Sequence, residues 1–243
     1  MPRKKLLFIS QFAEPGTYDK SVWRRLQGGE DETIAIDALL DSVGLRSAID
    51  YQGIKAHEGE ALPDDPAAFD AVILGGSFAS VADGYEWQLR IADWLGRYRQ
   101  TGKPLMGICG GHQLMSKTLG GRVEKIPTGP EVGSLPLDVS DAGRSHYLFD
   151  GFDPDAPFFF GNSDRVVDLP EGTVVLATRP NLPAAAVDHG GNWVSVQFHP
   201  ETTCDRMATC WMDRDPSQSA KYHFIPGCER MVANYLRAAG FGA

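Results

Sequence analysis

The sequence predicts an α/β fold: an open, mostly parallel sheet with helices on both faces and added antiparallel strands. Three observations predict it. Short, almost wholly apolar runs recur through the first half of the chain, with the length and bounds of buried strands. Amphipathic stretches of helical spacing separate them, the alternation that builds parallel sheets. After Gly121 the texture changes to short β-like runs divided by Pro, Gly, Asp and Asn, which read as antiparallel strands added to that sheet.

The elements follow in order. KKLLFIS (residues 4–10) reads as a buried strand, and TIAIDALLDSVG (33–44) as a helix ending at Gly44. SAIDYQG (47–53) is a second strand, and FDAVILGGS (69–77) a buried strand closing on two glycines. Trp87, Ile91, Trp94, Leu95 and Tyr98 fall on one side of a helix over residues 86–100. KPLMGIC (103–109) is another buried strand. The helix after it, 110–119, stops at Gly120 and Gly121. RVEKI, VGSLPLDVS, PFFFGN, RVVDL, TVVLATR, AAAVDH and NWVSVQFH are the later short strands. A last helix covers 228–239. Residues 202–225 are the least regular part and read as a surface loop. No linker or internal repeat divides the chain, so one domain over residues 1–243 is expected.

Composition narrows the function classes. The 243 residues suit one α/β domain whose core needs no disulfide or metal staple. A formal net charge of −9 and the lack of a basic stripe disfavour nucleic acid and anionic membrane as partners. The apolar run near the N-terminus, Leu6 to Ile9, is too short for a signal peptide. No apolar stretch approaches the ~20 residues of a membrane span, and four cysteines do not make a disulfide scaffold. A cytoplasmic protein is expected. Cys204, Cys210, His223 and Cys228 lack the close pairing of zinc ligands, so no metal and no cofactor are expected.

The chemistry concentrates in MGICGGHQLMSKTLGG (residues 106–121). Free cysteine is commonly a small buried hydrophobe. Here, however, Cys109 stands between a strand and a glycine-led helix, the arrangement of a nucleophile elbow. Gly107 with Gly110 or Gly111 would permit a sharp turn with positive φ and close approach of backbones. The helix start at Gly110 offers unpaired N–H groups and partial positive charge that favour thiolate, and the Gly110 N–H is placed to meet an oxyanion.

A thiol nucleophile needs a base and a group that orients the base. In WVSVQFHPE (193–201), Val194, Val196 and Phe198 alternate as in a strand with one buried face. Pro200 ends it, and His199 and Glu201, two apart, project to the same side. Glu201 can then hold one ring nitrogen of His199 while the other faces a thiol. A surface His beside a surface Glu is the plainer alternative. The other five histidines read as lacking this strand-end setting, with His112, one turn into the helix, as an alternative base.

These segments resemble the class I, triad-type glutamine amidotransferases. Gly107, Cys109, Gly111 and Gln113 match that family's G-x-C-x-G-x-Q, His199, Pro200 and Glu201 its H-P-E, and VILGGS (72–77) its glycine-ended strand. The likeness is nearest to the glutaminase domain of GMP synthase and its free-standing relatives, and runs from Leu6 to about Glu201. It implies a flavodoxin-like sheet and a catalytic Cys109–His199–Glu201 triad. It also implies an oxyanion hole from the N–H groups of Gly76 and Gly110, and Gln113 at the substrate. Cys109 would attack the side-chain amide carbon of glutamine, His199 would pass a proton to departing ammonia, and water would release glutamate from a γ-glutamyl thioester.

Two departures keep alternatives open. Asn162 in FFGNSDRV stands where the family commonly has His; the neighbouring Ser163 and Asp164 are candidate substrate contacts through their backbone. No G-x-x-x-x-G-K-[ST] phosphate loop or synthase domain accompanies the site. The ammonia would therefore go to a separate synthase subunit, or the enzyme is a γ-glutamyl peptide or amine hydrolase in its own right. A catalytically idle binding module is the third reading.

Overall fold

The computed structural model describes residues 3–212 and 214–242; Met1, Pro2, Asp213 and Ala243 lie outside the described residues. The first half alternates as expected: β1 (Lys4–Ser10), α1 (Glu32–Ser42), β2 (Ile49–Lys55), β3 (Ala71–Leu74), α2 (Glu86–Arg99), β4 (Leu105–Ile108) and α3 (Gly110–Thr118). The second half supplies β5 (Arg122–Lys125), β6 (Glu131–Pro136), β7 (Asp138–Val139), α4 (Asp141–Arg144), β8 (Pro157–Asn162), β9 (Asp164–Asp168), β10 (Val174–Arg179), β11 (Leu182–Asp188) and β12 (Trp193–Val196). It ends with α5 (Cys204–Thr209), α6 (Pro216–Ser219) and α7 (Arg230–Ala238).

One eight-stranded sheet has the order β2-β1-β3-β4-β12-β11-β10-β7. The pairs from β2 to β12 are parallel, and β11, β10 and β7 continue it antiparallel. Two expectations are corrected here. The texture of NWVSVQFH sets it among the added antiparallel strands, yet β12 joins β4 in parallel, Val194 opposite Met106 and Val196 opposite Ile108. Nor do all the later strands extend the main sheet: β5 pairs with β9 and β6 with β8 as separate two-stranded ribbons.

Alternation along the central strands divides the core between the two faces. Leu6 and Phe8 of β1 join Ile36, Leu39 and Leu40 of α1 and Met231, Tyr235 and Leu236 of α7 on one side. Leu7 and Ile9 face Trp87, Ile91, Trp94 and Leu95 of α2 and Leu114 and Met115 of α3 on the other. This is the two-residue period of strands meeting the helical period of their covers. Trp94 is fully enclosed, its indole N–H satisfied by the Pro63 carbonyl at 2.8 Å. A ring of that size stabilises the fold by about 5 kcal/mol from apolar area alone.

Residues 202–225 are not the surface loop that irregular sequence suggests. They hold α5 and α6 and bury Met207, Thr209, Tyr222 and Ile225. The Tyr222 hydroxyl donates to the Phe160 carbonyl at 2.6 Å and accepts from the Trp211 indole N–H at 2.8 Å. The segment thus covers the β6–β8 ribbon. Its apolar residues follow neither strand nor helix period, so no pattern announces its burial.

Candidate active site

Parallel strands side by side bring their C-terminal ends to one edge, where ligands of open α/β sheets bind. Here β3, β4 and β12 are adjacent. Gly75 and Gly76 follow β3, Cys109 follows β4, and His199 stands three residues beyond β12. Adjacency of β4 and β12 therefore joins a cysteine and a histidine ninety residues apart in sequence.

Cys109 occupies the elbow between β4 and α3 with φ 50° and ψ −106°. The positive φ expected at a neighbouring glycine belongs to the cysteine itself. The glycines are needed for close packing instead: a β-carbon on Gly111 would lie 2.4 Å from the Leu74 carbonyl oxygen, and one on Gly107 would lie 2.8 Å from that of Gly111. Both let α3 press against β3 and β4. A non-glycine residue at positive φ stores roughly 1–3 kcal/mol of strain, a cost often found at functional residues. The strained turn is held at both ends, the Cys109 N–H donating to the Val196 carbonyl at 2.8 Å and its carbonyl accepting from the Gln113 N–H at 3.0 Å.

The chain after β12 runs along β8, with the His199 N–H donating to the Phe159 carbonyl at 2.8 Å. His199 Nδ1 lies 2.8 Å from Oε1 of Glu201, and both side chains are largely buried. Burial alone would push the imidazole pKa down. The Glu201 carboxylate first and the Cys109 thiol second more than offset this and hold it well above the ordinary histidine range. The structure therefore brings together Cys109, His199 and Glu201.

Gly76 and Gly110 also reach this point. A β-carbon on Gly76 would lie 2.8 Å from His199 Cε1 and 3.7 Å from Cys109 Cβ, and one on Gly110 would strike Ser77 at 2.6 Å. The Gly75 carbonyl accepts from the Gln11 side-chain amide at 2.8 Å, which fixes the plane of the peptide that carries the Gly76 N–H. Gln11 escapes sequence reasoning. Its only signal is a buried polar residue straight after an apolar strand.

Gln113 is buried and already engaged, its amide donating to the Asp164 carbonyl and to Gln197 Oε1, each at 3.0 Å. Asn162 turns its own amide to the same Asp164 carbonyl at 2.9 Å, and the Ser163 carbonyl accepts from the Ile126 N–H at 2.8 Å. The Asp164 side chain accepts a short hydrogen bond from Ser80. Gln113, Asn162, Ser163 and Asp164 line one cleft that opens on Cys109. A second cleft opens on the other side of Cys109 and contains His199, Glu201, Glu32 and Arg206. Neither Glu32 nor Arg206 stands in a motif that sequence reasoning could single out.

His112 does not serve as the alternative base. It is fully buried, its Nδ1 lies 2.7 Å from Ser195 Oγ, and burial pushes its pKa down to about 3. Nor is His199 alone in following a strand: His57 comes after β2 and His189 directly after β11. β11 runs antiparallel to β12, so His189 falls at the opposite edge of the sheet. His57 contacts Ser10 and Phe12. Cys204, Cys210 and Cys228 are free thiols, and burial raises the pKa of each.

Residues 35–215 match the family description "Glutamine amidotransferase class-I". The chain belongs to the class-I glutamine amidotransferases. It is accordingly an enzyme of that class. It is similar to a GMP synthase (glutamine-hydrolyzing) of Aeropyrum pernix, 37% identical over 59% of this chain and 25% of the relative. It is also similar to a protein of Sulfurisphaera tokodaii named as one subunit of a glutamine-hydrolyzing GMP synthase, 34% identical over 55% of this chain and 68% of the relative. The match thus spans only a quarter of the full-length synthase of A. pernix. Among solved structures, a glutamine amidotransferase of Thermotoga maritima superposes with a TM-score of 0.72 at 17% identity, covering 98% of this chain and 99% of that one. A glutamine amidotransferase of Methylobacillus flagellatus gives 0.72 at 15% identity, covering 99% and 96%. At those identities the likeness concerns the fold, which agrees with the sheet expected from sequence. No helix among the described residues is long and apolar enough to cross a membrane.

Proposed function

We propose that this amidotransferase hydrolyses the side-chain amide of glutamine through a γ-glutamyl thioester on Cys109. The observation that carries the reading is the ion-paired His199–Glu201 couple, 2.8 Å apart, at the edge where the strained Cys109 elbow emerges. His199 takes the thiol proton, and the thiolate attacks the amide carbon. The N–H groups of Gly76 and Gly110, which donate no other hydrogen bond among the described residues, stabilise the oxyanion. Each such donor is typically worth ~3 kcal/mol of barrier. His199 returns the proton to the departing nitrogen, then accepts one from the water that frees glutamate. Glu201 keeps the ring oriented and favours its charged form. The glutamyl portion lies in the cleft of Gln113, Ser163 and Asp164. Because the S. tokodaii relative is named as one subunit of a synthase, we propose by analogy that a separate synthase subunit receives the ammonia.

The test is release of glutamate and ammonia from glutamine by the purified chain, with hydroxylamine added to intercept an acyl intermediate. Formation of γ-glutamyl hydroxamate at the expense of glutamate is expected. Turnover with no hydroxamate would overturn the thioester.

A further inference from the structure

Packing forbids side chains at two successive positions after β3. A β-carbon on Gly75 would lie 2.9 Å from the Phe8 ring, and one on Gly76 would lie 2.8 Å from His199 Cε1. With no β-carbon on either side, the peptide between Gly75 and Gly76 meets little steric resistance to rotating about its flanking bonds. That peptide carries the Gly76 N–H, so its orientation decides whether the N–H can meet an oxyanion at Cys109.

The surroundings take that freedom away. Gln11 directly follows β1, the neighbour of β3, and is buried. A carbonyl only accepts, so the Gln11 amide turns its NH2 group to the Gly75 oxygen, at 2.8 Å. The same oxygen packs against Gly111, where a β-carbon would lie 2.9 Å from it. The backbone is held before and after the peptide as well. The Gly75 N–H donates to the Ile9 carbonyl at 3.0 Å, and the Phe78 N–H to the Phe12 carbonyl at 2.7 Å. Between these two anchors, the N–H groups of Gly76 and Ser77 donate no hydrogen bond among the described residues.

We propose that Gln11 is a positioning residue for the reaction: it holds the Gly75–Gly76 peptide in the orientation that presents the Gly76 N–H to the oxyanion. The C=O and N–H of a trans peptide point opposite ways. With the oxygen bound to Gln11, the N–H is turned away from β1 and towards Cys109, whose Cβ lies 3.7 Å from the place of a Gly76 β-carbon. Rotation of the peptide would bring the carbonyl oxygen round towards the thiol. It would also leave the buried Gln11 amide without its acceptor, a cost that favours the working orientation. Gln11 thus acts through the Gly75 carbonyl and not on the substrate. The proposal rests on the thioester reading above and deepens it. Every group that holds the peptide belongs to this chain, so the N–H is in place before any partner binds.

The test compares the intact parent chain with Gln11→Met and Gln11→Leu, which fill the position and remove the donor. Loss of an oxyanion donor typically lowers kcat by about 100- to 1,000-fold. A donor left in place but no longer held should cost part of that, so each variant should lose at least about tenfold in kcat for glutamine, with KM within about twofold of the parent's. Iodoacetamide reacts with a thiolate by direct displacement and forms no oxyanion. Its rate at Cys109 should therefore stay within about twofold of the parent's. Either variant alone decides, should the other fail to fold. A kcat within about twofold of the parent's would overturn the proposal. Alkylation slowed in step with kcat would also overturn it, because Gln11 would then support the whole site and not the N–H. Hydroxylamine separates the two readings. Hydroxamate formed by the parent keeps the thioester standing whichever way the variants fall, and its absence from the parent would overturn both.

Discussion

Gly76 leaves no room for a side chain beside His199: a β-carbon there would lie 2.8 Å from the ring's Cε1. The imidazole cannot yield without giving up its 2.8 Å contact with Glu201. Gly76→Ala should therefore fold, since the obstacle is a side-chain ring and not backbone, but should lower kcat for glutamine by about 100-fold or more. Ammonia release and a thermal melt measured together check this. An unchanged kcat would mean that the His199 ring does not need the position that a β-carbon at residue 76 would disturb.

The charge on His199 is set by its neighbours against the pull of burial. Removing either Glu201 or Cys109 should drop the imidazole pKa. Ring-nitrogen NMR titration of Glu201→Gln and Cys109→Ala is the measurement. Both should fall below the parent. A parent value unaltered in either variant would contradict the assigned pairing.

Glu32 makes the fold pH-sensitive in an unusual direction. Its folded pKa, raised to about 7 chiefly by burial, exceeds the ordinary ~4.3 of the unfolded chain. Between those values the unfolded chain gives up a proton that the folded one keeps, so this group's contribution falls as pH rises. The loss is on the order of 3 kcal/mol by pH 8. Glu32→Gln keeps an acceptor for Ser10 and removes the cost. Its Tm should exceed the parent's by an increasing margin from pH 4 to pH 8. A constant margin would refute the shifted carboxyl.

A second buried array works at the other end of the pH scale. Ser195 Oγ lies 2.7 Å from both His112 Nδ1 and His189 Nε2. One hydroxyl proton serves two rings, so one ring donates and the other accepts. Burial pushes His112 down to about 3 and His189 down to about 4. An unfolded histidine titrates near ~6.5, so below that pH the unfolded chain gains protons that the folded one refuses. Stability should fall by several kcal/mol from pH 6.5 to pH 4. Urea unfolding across that range checks it. A flat profile would place the histidines in contact with solvent.

The sequence is most legible where local pattern and global fold agree. β1, β3 and β4 are buried on both faces and read as continuous apolar runs, and the helices between them show their period plainly. The Cys109 elbow and the His199–Glu201 strand end are legible for the same reason: each stands just past a short apolar strand, Cys109 directly after β4 and His199 three residues beyond β12. What escapes is whatever depends on proximity between distant segments. The parallel pairing of β12 with β4 brings Cys109 to His199, yet WVSV alternates no differently from an antiparallel strand. Gly111 is necessary for a different purpose from the one its spacing suggests, since its limiting contact is with the carbonyl of Leu74, over thirty residues away. Gln11, Glu32 and Arg206 meet at the site from three segments, none with a motif of its own.

Mass spectrometry of the Cys109 peptide, after rapid acid quench of enzyme turning over glutamine, tests the central claim most directly. A γ-glutamyl adduct on Cys109, absent from Cys204, Cys210 and Cys228 and lost with turnover in Cys109→Ala, is the predicted result. Glutamate release that persists in Cys109→Ala, with no adduct on the parent's Cys109, would contradict it.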